Sequence, residues 1–179
     1  LGAFILLITL RVVASPAPAD LLPEMIAHYE ADMEDLGKIY IFPNSPEYYN
    51  RFHRLYKEAL ASLQALSFAT LSTSDKVDYI LWQRTLRHSL LEIDQAEKLY
   101  DSVAFALPYA QDLMNIQIRR RRGQTPDAQH IARTLDSVNY EIRLARQRLE
   151  KHGSLSRAQV KMVVDVTESI RTGLANVET

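Results

Sequence analysis

The chain reads as all-α, an antiparallel helical bundle, and three observations predict it. Only five Gly occur in 179 residues, while Ala, Leu, Arg, Gln and Glu are frequent; that composition favours helix. Apolar residues recur three and four apart along most of the chain, the spacing of one helical face. No stretch alternates with period two for long enough to build a sheet.

The first predicted helix covers residues 21–37. Leu22, Met25, Ile26, Tyr29, Met33 and Leu36 form its stripe, and Gly37 is expected to cap it. Residues 39–44 are an apolar connector, expected to be extended. The second helix starts sharply. Ser45 can cap, Pro46 suits the first helical position and Glu47 suits the positive end of the dipole. Tyr49, Phe52, Tyr56, Leu60 and Leu63 form its face.

A turn over residues 68–74 leads to the longest element. Ser72 with Asp75 gives a start resembling a capping box. The stripe then runs through Tyr79, Trp82, Leu86, Leu90, Ile93, Ala96, Tyr100, Val103 and Leu107, and Pro108 ends or kinks it. Such a helix would hold about 34 residues and reach about 50 Å, the spine of something large. A fourth helix covers residues 109–119 and ends in Arg119, Arg120, Arg121 and Arg122 before Gly123. Thr125, Pro126 and Asp127 open the fifth, with Ile131, Leu135, Val138, Ile142, Ala145 and Leu149 as its stripe and Gly153 as its end. Ser156 with Gln159 is a capping box for the sixth, whose expected face is Val160, Val163, Thr167, Ile170 and Leu174. Tyr49, Phe52, Trp82, Tyr100 and Leu107 are expected to fix the core.

Ahead of these helices, residues 1–10 are an apolar block, continued after Arg11 by Val12, Val13 and Ala14. The block resembles the apolar core of a secretory signal peptide that lacks its basic start. Small-residue cut patterns precede Ser15 and Asp20, separated by a helix-breaking Ser-Pro-Ala-Pro-Ala spacer. The run is too short for a membrane span, which needs about 20 residues. The alternative is a buried N-terminal strand or helix of a cytosolic protein. Residues 1–19 are therefore expected to be a signal peptide and spacer, and residues 20–179 one helical domain. The first residue is not Met, and residues 175–179 continue a helical pattern with no stop signal. The expectation is the front part of a longer, secreted protein, with its domain incomplete at the C-terminus.

Composition narrows the chemistry. Hydrophobic residues at 47% and charged residues at 24% are ordinary for a globular protein. A net charge of −1 gives no global sign of a nucleic-acid binder. The absence of Cys excludes disulfides and Cys-ligated zinc.

A helical zinc-peptidase motif needs His-Glu-x-x-His, because one turn points both imidazoles at one metal while the Glu activates water. None of the five His is followed by Glu. His28 lies one turn from Glu24 and from Asp32, and His88 one turn from Glu92. Two ligands fall short of a catalytic zinc site, so surface hydrogen bonding is the expected role. There is no Gly-x-Ser-x-Gly elbow and no Gly-rich phosphate loop. Glu30, Asp32, Glu34 and Asp35 are expected to be a solvated helix face. Arg119 to Arg122 could serve an anionic partner, but no aromatic residue is interleaved; a helix C-terminus favoured by the dipole is the simpler expectation. No catalytic, cofactor-binding or metal-binding residue is assigned.

Several strings resemble a known family. Residues 22–32, Leu-Pro-Glu-Met-Ile-Ala-His-Tyr-Glu-Ala-Asp, look like the start of domain-of-unknown-function family 885, found in bacteria and fungi. Ser45-Pro46-Glu47 before an Arg- and Tyr-rich helix fits the same pattern. So do residues 75–81, Asp-Lys-Val-Asp-Tyr-Ile-Leu, and the Arg-rich segment followed by Pro126-Asp127. Together these strings span about residues 21–174. The resemblance implies a much longer, mainly helical zinc metallopeptidase-like protein with a His-Glu-x-x-His-type motif far downstream. Fungal members are often labelled dipeptidyl-peptidase-like. None of the family's metal or catalytic positions falls within this chain.

The resulting expectation is an N-terminal helical scaffold of a secreted zinc-metallopeptidase-like hydrolase, forming one wall of a substrate channel and inactive by itself. Its partner would be the remaining C-terminal half of the same protein, with a peptide as the parent's substrate and zinc as the parent's cofactor. No nucleic acid and no stable transmembrane helix are expected. A self-contained helical binding or scaffold module is the alternative.

Overall fold

The computed structural model describes residues 21–125 and 127–175. The expected leader with its cut sites, Pro126 of the fifth helix start, and residues 176–179 lie outside them. Among the described residues six α-helices follow in order: α1 Leu21–Ile39, α2 Pro46–Gln64, α3 Thr73–Val103, α4 Ala110–Arg121, α5 Ala128–His152 and α6 Arg157–Ala175. Short 3-10 turns at Phe68–Thr70 and Ala104–Ala106 join α2 to α3 and lead out of α3. The all-α class is therefore observed. Among the described residues no helix is long and apolar enough to cross a membrane.

The helix starts follow the capping chemistry. Ser45 Oγ accepts from the Tyr48 N–H at 3.3 Å and donates to the Phe42 carbonyl at 2.8 Å, with Pro46 at the first helical position. Ser72 Oγ accepts from the Asp75 N–H at 3.1 Å and donates to its carboxylate at 2.7 Å. Asp127 Oδ1 accepts the N–H groups of Gln129 and His130. Ser156 and Gln159 make both bonds of a capping box. Each cap satisfies donors that a helix N-terminus otherwise leaves open.

Helix ends depart from expectation in two places. Gly37 does not cap α1, which continues through Ile39, with the Tyr40 N–H still bonded to the Leu36 carbonyl at 2.8 Å. The α-helical part of α3 stops at Val103 and tightens into the 3-10 turn before Leu107. Pro108 explains this: its ring conflicts with the carbonyl four residues back, at Ala104, and disfavours a helical Leu107. Gly123 closes α4 in the left-handed region at φ 70°. The Gln124 N–H reaches the Arg119 carbonyl and the Gly123 N–H reaches that of Arg120, a Schellman closure.

Helix α3 is the spine. Tyr49 stacks edge-on with Tyr100, while His53 meets Asp94 and Glu97 further back along α3; α2 and α3 therefore run antiparallel. Helix α1 packs on α3 through Tyr29 and Trp82, whose rings lie 5.7 Å apart. On another side α6 packs on both α3 and α4, and α5 packs on α4 and on the turn after α3, where His152 stacks on Phe105 at 4.4 Å.

The expected core residues Tyr49, Phe52, Trp82, Tyr100 and Leu107 are all buried. Helix α6 follows the expected face in part: Ile170 is buried and Val163 and Leu174 pack against the core. Its buried line is Met162, Val166, Ile170 and Gly173, whereas Val160 and Thr167 are exposed. Apolar residues surround much of this helix, so periodicity fitted more than one face. In α5 only Val138 and Ala145 of the expected stripe are buried, and Leu135 and Ile142 stay exposed. Among the described residues α5 packs chiefly on α4 and on the turn after α3.

Candidate functional site

Packing of α2 on α3 assembles a cluster of polar groups at the edge of the core. His53 follows the buried Phe52 on α2, and Asp94 follows the buried Ile93 on α3. Glu97 stands three residues beyond Asp94, so both carboxylates leave the same flank of α3. His53 Nε2 lies 3.0 Å from Glu97 Oε2 and 3.3 Å from Asp94 Oδ1. Donor atoms of all three residues lie within 4.8 Å of one another, and this is the single such His and carboxylate group among the described residues.

The imidazole side chain is 13% exposed, whereas the Asp94 and Glu97 side chains are 52% and 38% exposed. One side of the cluster thus faces an open cleft of about 450 Å³, also lined by Asn50, Arg54, Lys57 and Glu58. Arg54 is engaged with Glu58 at 3.9 Å. Neither Asp94 nor Glu97 has an ion-pair partner other than His53 among the described residues. His53 Nδ1 is buried without a hydrogen-bond partner, so Nε2 is the nitrogen that a ligand can reach. Behind the cluster the single Tyr49 hydroxyl proton has two acceptors in reach, Asn44 Oδ1 at 3.2 Å and the Ala96 carbonyl at 3.4 Å. Burial, followed by the nearby Tyr100, Glu97 and Asp101, raises the Tyr49 pKa far above its ordinary value.

Chemically, the arrangement can hold a cation between two carboxylates or hydrogen-bond the imidazole to them. The cleft lining offers no Ser, Thr or Cys nucleophile.

Other groups singled out in the sequence stay apart. Glu24, His28 and Asp32 are exposed, and no hydrogen bond or ion pair joins them among the described residues. His88 and Glu92 form an exposed pair at 3.2 Å with no third ligand. Glu34 and Asp35 pair with Lys38 at 2.8 and 3.0 Å. The Arg block ties the fold together: Arg121 donates to the Lys38 carbonyl at the end of α1, and Arg122 bonds Glu47 at the start of α2. A second cleft, of about 530 Å³, lies between α4 and α5 and gathers Asp112, Asn115, Arg119 and His130.

Sequence spacing did not connect His53 with its carboxylates. The one local signal was Asp94 and Glu97 one turn apart; the imidazole arrives from 44 positions before Glu97, and only the register of α2 on α3 brings it there. No family model, no curated protein and no solved structure matches the chain.

Proposed function

We propose that the chain is the N-terminal helical scaffold of a secreted, zinc-metallopeptidase-like hydrolase, and that its outward apolar stripes seat against further polypeptide of the same protein. The observation that supports a docking role is the apolar surface on three helices. On α3, Val77, Ile80, Leu81 and Leu91 are between 52% and 56% exposed. Leu135 and Ile142 of α5 and Val160 and Val164 of α6 are exposed as well. Single exposed apolar residues are normal on a protein surface, whereas several together on one side of a helix, as Val77, Ile80 and Leu81 are, suit an interaction site.

The hydrolase part of the reading rests on the resemblance of residues 22–32, 45–47 and 75–81 to domain-of-unknown-function family 885. In that reading the catalytic zinc and its His-Glu-x-x-His motif belong to the downstream polypeptide, and these helices form one wall of the substrate channel.

The test compares residues 20–179 alone with a polypeptide that continues through the downstream reading frame. Alone, the helices are expected to self-associate in sedimentation, to bind an apolar dye and to leave peptides uncut. The longer polypeptide is expected to sediment as one species and to hydrolyse peptides in a zinc-dependent way. An authentic stop after Thr179 together with a monomeric, cooperatively melting chain would favour a self-contained binding module. Peptide cleavage by residues 20–179 that is lost on changing one of their own His would overturn the scaffold reading.

A further inference from the structure

We infer that His53, Asp94 and Glu97 form a binding site for one first-row divalent ion, with zinc as the best match, that clasps α2 to α3. The inference is independent of the hydrolase reading, whose metal would sit on a downstream motif.

The donor set comes first. One imidazole nitrogen and two carboxylate oxygens suit zinc or manganese, whereas magnesium prefers oxygen donors and retains its water. The distances fit as well. Two ligands bound at about 2.0–2.1 Å lie roughly 3.3 Å apart across a tetrahedral angle and roughly 2.9 Å apart across an octahedral one. His53 Nε2 stands 3.3 Å from Asp94 Oδ1 and 3.0 Å from Glu97 Oε2, within that range for both pairs. The third separation, between the two carboxylate oxygens, lies within 4.8 Å.

A divalent ion would offset both carboxylates, which have no ion-pair partner other than His53 among the described residues and line a cleft shared with Arg54 and Lys57. Placement on packed helices supplies the rigidity that a site needs. Phe52 and Ile93, each next in sequence to a ligand, are buried, and Tyr49 with Tyr100 fixes the register of α2 on α3 a turn away. The half-open carboxylates leave the remaining coordination positions to water from the cleft. Three protein ligands leave a coordination position open, unlike the closed four-ligand structural sites.

The experiment uses the full chain purified without a histidine tag. Zinc is added, the chain is passed through gel filtration in a weak chelator, and retained metal is counted by elemental analysis. A parallel sample is loaded with cobalt(II), whose visible absorption reports nitrogen and oxygen ligation. One equivalent of retained zinc and a cobalt spectrum are expected, with magnesium unable to displace either. His53→Ala and Glu97→Gln are each expected to weaken binding roughly 100-fold or more, at or beyond the upper end of what losing even an outer partner costs. His88→Ala, which removes the other His and carboxylate pair, is expected to change nothing. Glu97→Gln is close in shape and sits at a partly exposed position, so it tests the site even where His53→Ala fails to fold. Equal zinc retention by the unaltered chain and folded Glu97→Gln, or no retention above a weak, non-stoichiometric background, would overturn the inference.

Discussion

Phe42 lies against Gly173 so closely that a Cβ on Gly173 would stand 2.8 Å from Phe42 Cε1 and 2.9 Å from Cζ. The same glycine offers its carbonyl to the Gln117 side-chain amide. One backbone position in α6 therefore receives the connector after α1 on one side and α4 on the other. Both partners are buried, Phe42 at 2% and Gln117 at 2% exposure, so the Phe42 ring gives way only by repacking its neighbours. Gly173→Ala gains up to about 1 kcal/mol from helix propensity but forces a contact that overpacking data put at about 1–3 kcal/mol. The clash is expected to win. Chemical denaturation should show a net loss of stability, and Phe42→Leu in the same chain should return part of it.

The opposite sign is expected at Gly37. It sits inside α1, and a Cβ there meets nothing within 4 Å. Gly37→Ala is expected to stabilise the fold by about 0.4–1 kcal/mol, by removing unfolded-state freedom and adding helix propensity. Gly153 shows what a true terminal glycine does. Its φ of 85° disfavours any side chain, so Gly153→Ala should lower the melting temperature where Gly37→Ala raises it. A fall with Gly37→Ala would restore the capping role that its sequence position suggested.

These glycines mark the boundary of what the sequence could tell. Helix starts were legible because Ser45, Ser72 and Ser156 act on donors two or three residues away. The aromatic core was legible because Tyr49, Phe52, Trp82 and Tyr100 are large and fall on one phase of their helices. The face of helix α6 was legible only in part, because Val160, Met162, Val163, Val164 and Val166 are apolar on several sides. Packing on α3 and α4, and Phe42 against Gly173 from over a hundred residues away in sequence, accompany the observed face. The His53 cluster was hidden for the same reason: its members carry no mutual spacing until α2 docks on α3.

Alkaline conditions should weaken the fold through its buried phenols. Burial, aided by the neighbouring Tyr48, Tyr29 and Glu92, raises the Tyr56 pKa from 10.0 to about 12. Tyr29, Tyr48 and Tyr100 shift in the same direction, each mainly because of burial. The charged form is thus disfavoured in the folded state, and above pH 10 the unfolded chain loses protons that the folded chain keeps. By linkage, this contribution to stability is complete below pH 10 and is lost as the pH rises towards 12. Melting temperatures measured across that window should fall steadily, and Tyr56→Phe should flatten the decline. An unchanged slope in Tyr56→Phe would mean that the phenol is not shielded as the packing implies.

The outward stripe of α3 separates folding from docking. Trp82 points inward at 7% exposure, while Ile80 and Leu81, its neighbours along the helix, are both 56% exposed. Trp82→Ala empties a buried site against Tyr29 and should cost about 3–5 kcal/mol. Ile80→Glu with Leu91→Lys changes residues that already face water, and both replacements have equal or better intrinsic helix propensity than Ile or close to that of Leu. The double variant should keep its melting temperature within about 0.5 kcal/mol equivalent of the parent. If the stripe is a docking face, the variant should also weaken the self-association expected of the helices alone, because two of its four exposed apolar residues, Ile80 and Leu91, are replaced. Sedimentation and melting are read on the same sample. Retained self-association with unchanged stability would move the docking face to α5 and α6, and a large loss of stability would show that the stripe is covered within the chain itself.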